Sequence, residues 1–210
     1  MRYRDGDLAT FGDPDLSVLM FVGRYTRPKR LPLLLRAYDR ARRDFGLRAP
    51  LLVCGGFPGE WEGEHPVTVV RDEGIDGVFF TGWRGHEDLP AGLGCADVFV
   101  SPSVGEAFGQ VFIEAMACGL PVIAAASGGP LSFVNTVPGA PNGWLVPPDD
   151  AVALTNALVD ATSPSTGALQ RAGRSANGLA QMTRQFSWTA TARRTAAVYE
   201  SLNAESARGS

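Results

Sequence analysis

The chain is poor in the residues that build disulfides and metal sites, with three cysteines and two histidines among 210 residues. Cys54, Cys95 and Cys118 form no short-range pair, and His65 and His86 stand alone, so a disulfide framework and a zinc-type ligand spacing are both excluded. All three cysteines are expected to be buried free thiols. Cationic charge is not in excess either: a net charge of −3 and a pI near 5.4 argue against a general nucleic-acid or anionic-membrane surface. No apolar run approaches the roughly 20 residues that span a bilayer, and the opening MRYRDGDLATFGD is too polar for a signal peptide. A cytoplasmic chain is the expectation, with no transmembrane segment and no nucleic-acid partner. Internal repeats, low-complexity runs and interdomain linkers are lacking as well.

What is present is enough apolar material, 45% of residues, to bury a core without staples. Short apolar runs recur along the chain: Ser17 to Gly23, Pro50 to Gly55, Gly77 to Gly82, Asp97 to Ser103, Pro121 to Ala126 and Gly143 to Pro148. Between them lie helical patterns, such as Leu34, Leu35, Tyr38, Ala41 and Phe45 at helical spacing, an acidic start at His86 to Cys95, and Asp149 to Ala161 with Asp150 as N-cap. Near-continuous apolar strands alternating with helices predict an α/β fold, a Rossmann-like parallel sheet of about six strands flanked by helices. Two alanine-rich helices without a strand between them, Ser165 to Arg184 and Ser187 to Ser206, should close the chain outside the sheet. Residues 16–206 read as one domain, and residues 1–15 as a polar lead or the remnant of an interdomain linker.

Chemistry should gather at the carboxyl ends of such strands. The corner GRYTRPKR places Gly23 and Arg24 directly after a strand and Lys29 just before a helix whose first turn holds Pro32. Two cations and a helix N-terminus can then face one diphosphate, the competing reading being a solvated basic loop. The stretch SVGEAFGQVFIEAMACGLPV sets Glu106 in a loop before a Gly-Gln helix start and Glu114 near the second turn. A carboxylate suits a sugar diol, and the amides of Phe108, Gly109 and Gln110 suit a phosphate or sugar oxygen. A helix cap for Glu106, an exposed helical position for Glu114, or a glycosidase-type acid and base pair are the alternatives. Gly128 and Gly129 offer a second amide-rich corner, or a turn that requires positive φ. CGGFPG lacks the first glycine and the following helix of a dinucleotide fingerprint. Two Asp-x-Asp triplets, Asp5 to Asp7 and Asp13 to Asp15, are better turn residues than metal ligands.

Taken together, FVGRYTRPKR, FFTGWRGHEDLP, ADVFVSPSVGEAFGQVFIEAMACGLPVIA, SGGP and NGWLVPPDD, in this order, resemble the family 4 retaining glycosyltransferases. The match covers roughly Leu16 to Leu202 and corresponds to the C-terminal, nucleotide-sugar-binding half of a GT-B enzyme; the N-terminal acceptor-binding half would be its partner. The resemblance implies a metal-independent hexosyltransferase that needs no cofactor. Its substrate would be a nucleoside-diphosphate sugar such as a UDP-sugar, with base, sugar and acceptor left open. It implies that Arg24 and Lys29 hold the donor diphosphate and that Glu114 binds the ribose hydroxyls. Glu106 with the Phe108 and Gly109 amides would contact the transferred sugar, and Trp83 and Arg84 would border the nucleobase. Gly55 falls at a strand end on the donor side. Three positions depart from the family pattern: Arg30 stands where glycine is usual, Ala107 replaces a common glycine, and Ser132 holds a position often occupied by glutamate. A chain that is half of such an enzyme should turn over little alone, and any membrane association would come through the other half. The rival readings are a GT-B-like nucleotide-sugar epimerase and a nucleotide-sugar-binding module without catalysis.

Overall fold

The computed structural model describes residues 16–208, so the polar lead and both Asp-x-Asp triplets lie outside the described residues. Six strands form one parallel sheet: β1 (Leu19–Gly23), β2 (Leu51–Gly55), β3 (Val78–Gly82), β4 (Val98–Ser101), β5 (Val122–Ala125) and β6 (Gly143–Val146). Their spatial order is β3-β2-β1-β4-β5-β6, with β1 to β2 in register from Leu19 on Leu51 to Gly23 on Gly55. This is the doubly wound Rossmann-like order, and it reverses between β1 and β4. The crevice for a ligand is therefore expected outside Gly23 and Ser101, where the connections diverge to opposite faces.

Except along the edge strand β3, where Phe79 is exposed, both faces of the sheet are buried, which explains why the strands read as unbroken apolar runs. On one side Leu19, Phe21, Leu51, Val53, Val98 and Val100 pack under α1 (Leu31–Phe45), α2 (Pro66–Glu73) and α5 (Ala151–Thr162). On the other, Met20, Phe99, Val122 and Ala124 meet α3 (Leu89–Leu93), α4 (Gln110–Ala117) and Met182. Burial of this kind stabilises by roughly 25 cal/mol per Å² of apolar surface. Helix starts follow local chemistry: Pro32 occupies the first turn of α1, and the Asp150 carboxylate caps α5 by accepting the Ala153 N–H at 2.9 Å. The acidic start at His86 is a 3₁₀ turn, His86–Asp88, and the α-helix begins only at Leu89.

The end of the chain runs through α6 (Gly167–Gln181), a π-helical turn (Met182–Phe186) and α7 (Trp188–Arg208). α7 packs chiefly on the π turn, and every residue from 191 to 202 is exposed. The cysteines correct one expectation: all are free, but only Cys54 is buried, whereas Cys95 is half-buried and Cys118 exposed. Cys118 caps the end of α4, where the chain turns outward before β5.

Candidate functional site

At the carboxyl edge of β1 and β2 the backbones nearly touch. A Cβ built on Gly55, whose φ is +131°, would lie 1.9 Å from the Gly23 carbonyl oxygen, so neither strand end can part without losing this corner. Above it opens a cleft of about 450 Å³ lined in part by Gly23, Arg24, Gly55, Phe57, Trp83 and Arg84. Arg24 is exposed, and its guanidinium makes no hydrogen bond or ion pair among the described residues. Trp83, 57% exposed, stands edge-on to Phe57 with ring centroids 5.8 Å apart, giving the cleft an aromatic wall. Below, the Tyr25 ring closes on Gly56, where a Cβ would fall 2.1 Å from it. Burial, and then the neighbouring Cys54, push the Tyr25 hydroxyl up to about 12. Five of the sequence-predicted residues thus share one cleft; Phe57, Glu60 and His86 also line it and were missed. Their signal was positional, since CGGFPG and WRGH each follow a strand at the same edge.

A second group of predicted residues meets across the switch point. Lys29, in the 3₁₀ turn Arg27–Lys29, donates from Nζ to Glu106 Oε1, an ion pair in which both side chains are less than one-fifth exposed. The Val104 N–H also donates to the Pro28 carbonyl at 2.8 Å, so the β1–α1 and β4–α4 connections are tied through backbone as well as side chain. Glu106 is not a helix cap: the N-cap of α4 is Gly109 at φ +86°, and the Glu106 carbonyl instead accepts the Gly129 N–H at 2.7 Å. Gly129 has to be glycine, because a Cβ there would meet the Phe108 carbonyl oxygen at 2.1 Å. Gly128 and Gly129 are therefore the seat of the Glu106 loop, and the Gly129 amide is engaged there instead of facing a ligand. The amides of Phe108, Gly109 and Gln110, by contrast, donate to no protein acceptor among the described residues. They stand at the N-terminus of α4, where Ala107, Phe108 and Gln110 are exposed and Gly109 is buried.

Glu114 joins neither group. It sits half-buried in the second turn of α4, its carboxylate without a hydrogen bond or ion pair among the described residues, and it is not among the residues that line the cleft. Its carboxylate is felt by Cys118, one turn on, whose thiol is pushed up first by burial and then by this charge. Ser132 is exposed and returns its hydroxyl to the Gly129 carbonyl at 2.7 Å. Among the described residues no cluster of three or more His, Cys, Asp or Glu side chains is placed to hold a metal ion.

Arg30 takes up the conformation that glycine would adopt freely, with φ +53° and ψ +30°. A non-glycine residue in the left-handed region costs about 1–2 kcal/mol. Its fork grips Asp149, the other non-glycine residue at positive φ among those described, with Nε to Oδ1 at 2.6 Å and Nη2 to Oδ2 at 3.2 Å.

The doubly wound sheet thus carries cations and free amides beyond β1 and β4, and an aromatic wall beyond β2 and β3. Residues 17–163 match the family described as Glycosyl transferases group 1, and the chain belongs to that family. It is 38% identical over 194 residues to the D-inositol 3-phosphate glycosyltransferase of Mycolicibacterium smegmatis, covering 90% of this chain and 41% of that protein. Against the protein of the same name from Salinispora tropica the identity is 37% over 195 residues, covering 90% and 39%. The fold superposes on sucrose-phosphate synthase from Thermosynechococcus elongatus with a TM-score of 0.75 and 34% identity, covering 94% of this chain and 48% of that one. It also superposes on Anabaena HepE, solved with UDP and glucose, with a TM-score of 0.73 at 23% identity, covering 92% of this chain and 50% of that one. The chain spans about two-fifths of the length of the curated relatives it matches. No helix among the described residues is long and apolar enough to cross a membrane.

Proposed function

We propose that this chain is the donor-binding half of a retaining glycosyltransferase, which moves a hexose-like sugar from a nucleoside diphosphate, a UDP-sugar in the first instance, to an acceptor hydroxyl. The observation that carries the reading is the pair of connections meeting at the switch point: Lys29 held on Glu106, with the unpartnered Arg24 beside it on the same β1–α1 connection. A diphosphate laid there completes Arg24, meets the free amides at the start of α4 and competes with Glu106 for Lys29. The released Glu106 carboxylate then faces the transferred sugar. The aromatic wall of Trp83 and Phe57, with Arg84, borders the base, and Glu114 turns to the ribose hydroxyls.

The chemistry follows from charge. As the bond from the anomeric carbon to the diphosphate oxygen breaks, negative charge grows on the leaving group. Preorganised cations and N–H groups stabilise it without reorganising at that moment. Charge-assisted hydrogen bonds from Arg24 and Lys29 supply about 1.5–3 kcal/mol each, so in this reading neither a metal nor a cofactor is needed. The acceptor site belongs to a second half, and α7, exposed along 191–202, is the element left for such a half to cover. The chain alone is then a cytoplasmic binder with little or no turnover.

A thermal-shift panel of UDP, GDP, ADP and their sugars tests this, because a ligand bound to the folded state raises apparent stability. Stabilisation by one nucleotide series, abolished in Arg24→Ala/Lys29→Ala, is the expected result. No shift with any of them, or sugar transfer by the chain without a second polypeptide, overturns it.

A further inference from the structure

We infer that Arg30 and Asp149 are positioning residues that hold the Lys29 ammonium in place for a diphosphate; the inference rests on the site proposed above. Arg30 at φ +53° and Asp149 at φ +57° are the two non-glycine residues in the left-handed region among those described, and they are bonded to each other across 119 residues of sequence. The contact is a bidentate fork, and the third guanidinium nitrogen, Nη1, donates to the Arg27 carbonyl at 2.9 Å. Arg27 opens the 3₁₀ turn that ends at Lys29, and the Arg30 N–H donates to the same carbonyl at 3.2 Å. One side chain therefore clamps the turn on which Lys29 stands and fastens it to a second anchor. That anchor is firm: Asp149 immediately precedes Asp150, the N-cap of α5, and α5 is tied to α1 by the Thr155 hydroxyl on the Ala37 carbonyl at 3.2 Å.

Stability does not explain the arrangement. The two side chains are 34% and 56% exposed, and an exposed ion pair contributes little to folding. Two strained backbones are a poor exchange for it, whereas strain held at the edge of a binding crevice is where preorganisation is found. A glycine at position 30 would relax the turn and leave Lys29, on its flexible four-carbon stem, to find Glu106 or an anion unaided.

Two predictions separate this from rival readings. If Asp149 acted only as a charge near an anion site, Asp149→Asn would tighten anion binding. Acting as the anchor of the fork, it weakens it, and asparagine tolerates the left-handed conformation, so the backbone is not at issue. The probe is inorganic pyrophosphate, titrated calorimetrically into the full 210-residue chain. Arg30→Gly and Asp149→Asn are each expected to weaken binding roughly three- to ten-fold, below the ~100-fold that a full ångström of misplacement can cost. The midpoint of thermal unfolding stays unchanged or rises. In a Lys29→Ala background, Asp149→Asn should have no further effect, which a structural role elsewhere would not produce. Unchanged or tighter binding in Asp149→Asn, or equal losses with and without Lys29, overturns the inference while leaving the site intact. If Lys29→Ala itself leaves pyrophosphate binding unaltered, or the unsubstituted chain does not bind it, the site reading fails and the positioning role falls with it.

Discussion

The two ends of the same sheet are built to opposite rules. At the amino end polar groups are satisfied within the chain: the Asp97 carboxylate accepts the Val18 N–H at 2.9 Å. The buried Tyr38 hydroxyl lies 2.9 Å from both the Ala49 and Gly77 carbonyls, just ahead of β2 and β3. At the carboxyl end Arg24 and the amides of Phe108, Gly109 and Gln110 lack a protein partner among the described residues, and the backbone is forced through Gly55, Gly128, Gly129, Arg30 and Asp149. The amino end holds the sheet together; the carboxyl end is where the proposed donor would be bound.

The contrast breaks first if cations at the carboxyl end matter for folding. Arg24→Ala/Lys29→Ala should cost about 3–6 kcal/mol of nucleoside-diphosphate binding, a hundred-fold or more in Kd, with a smaller loss of stability that comes from the broken Lys29–Glu106 pair alone. Calorimetry and a melting curve on the same sample decide it, and a comparable loss of stability would erase the distinction. Gly129→Ala sharpens it from the other direction. Its Cβ would collide with the Phe108 carbonyl, so the Glu106 loop must move, at about 2–3 kcal/mol of stability together with loss of binding. Retained binding in a stable Gly129→Ala chain would show that the loop does not form part of the site.

At the amino end the expected effects fall on stability alone. Tyr38→Phe removes a hydroxyl donor from the Ala49 carbonyl and should cost about 1–2 kcal/mol in urea unfolding, with binding unchanged. Burial pushes the Tyr38 hydroxyl up to about 12 from an ordinary value of 10.0. Because the folded-state value is raised, its contribution is complete below about pH 10 and is lost as pH rises towards 12. The unfolding free energy should therefore decline across that window, and less steeply in Tyr38→Phe; Tyr25, raised for the same reason, accounts for the slope that remains.

The strands and the order of elements were legible in the sequence because each strand reads as an apolar run, buried on both faces in all but the edge strand β3. Their ends were overrun: Asp97 to Ser103 forms a strand only through Ser101, and Gly143 to Pro148 only through Val146, in each case stopping before a proline that cannot donate to the ladder. The β1–α1 corner and the Glu106 loop were legible as strand-end chemistry. What joins them was not. Lys29 and Glu106 are 77 residues apart, and nothing local in either segment specifies the pair. Arg30 presented itself as a departure from a glycine pattern, and its compensation, Asp149, lies 119 residues away among turn residues that look ordinary. Phe57 carries no signal of its own in CGGFPG, which resembles a dinucleotide fingerprint without its first glycine, and its place beside Trp83 is set by the fold. Glu114 was legible as a carboxylate on α4, and like Lys29 and Glu106 it lies outside the lining of the cleft.

The smallest effect completes the comparison, because it concerns a cation that resembles Arg24 in sequence and differs in circumstance. Arg36, on the outer face of α1, lies between Glu64 and Glu73 with contacts of 2.7 and 2.6 Å, and its side chain is 42% exposed. Its hydrogen bonds hold the Glu64 carboxyl below the usual carboxylate range, so whatever the pair contributes is present at neutral pH and lost as acid protonates it. Solvent screens such a cluster, and Arg36→Ala should cost no more than about 1 kcal/mol, shrinking further in high salt, with no change in nucleotide binding. A paired arginine on the helix face and an unpaired one at the strand end are thus predicted to differ in both readouts at once: Arg36→Ala moves stability slightly and binding not at all, and the Arg24 substitution does the reverse. Measuring both on one titration and one melt tests whether the missing partner, rather than the charge itself, marks the site.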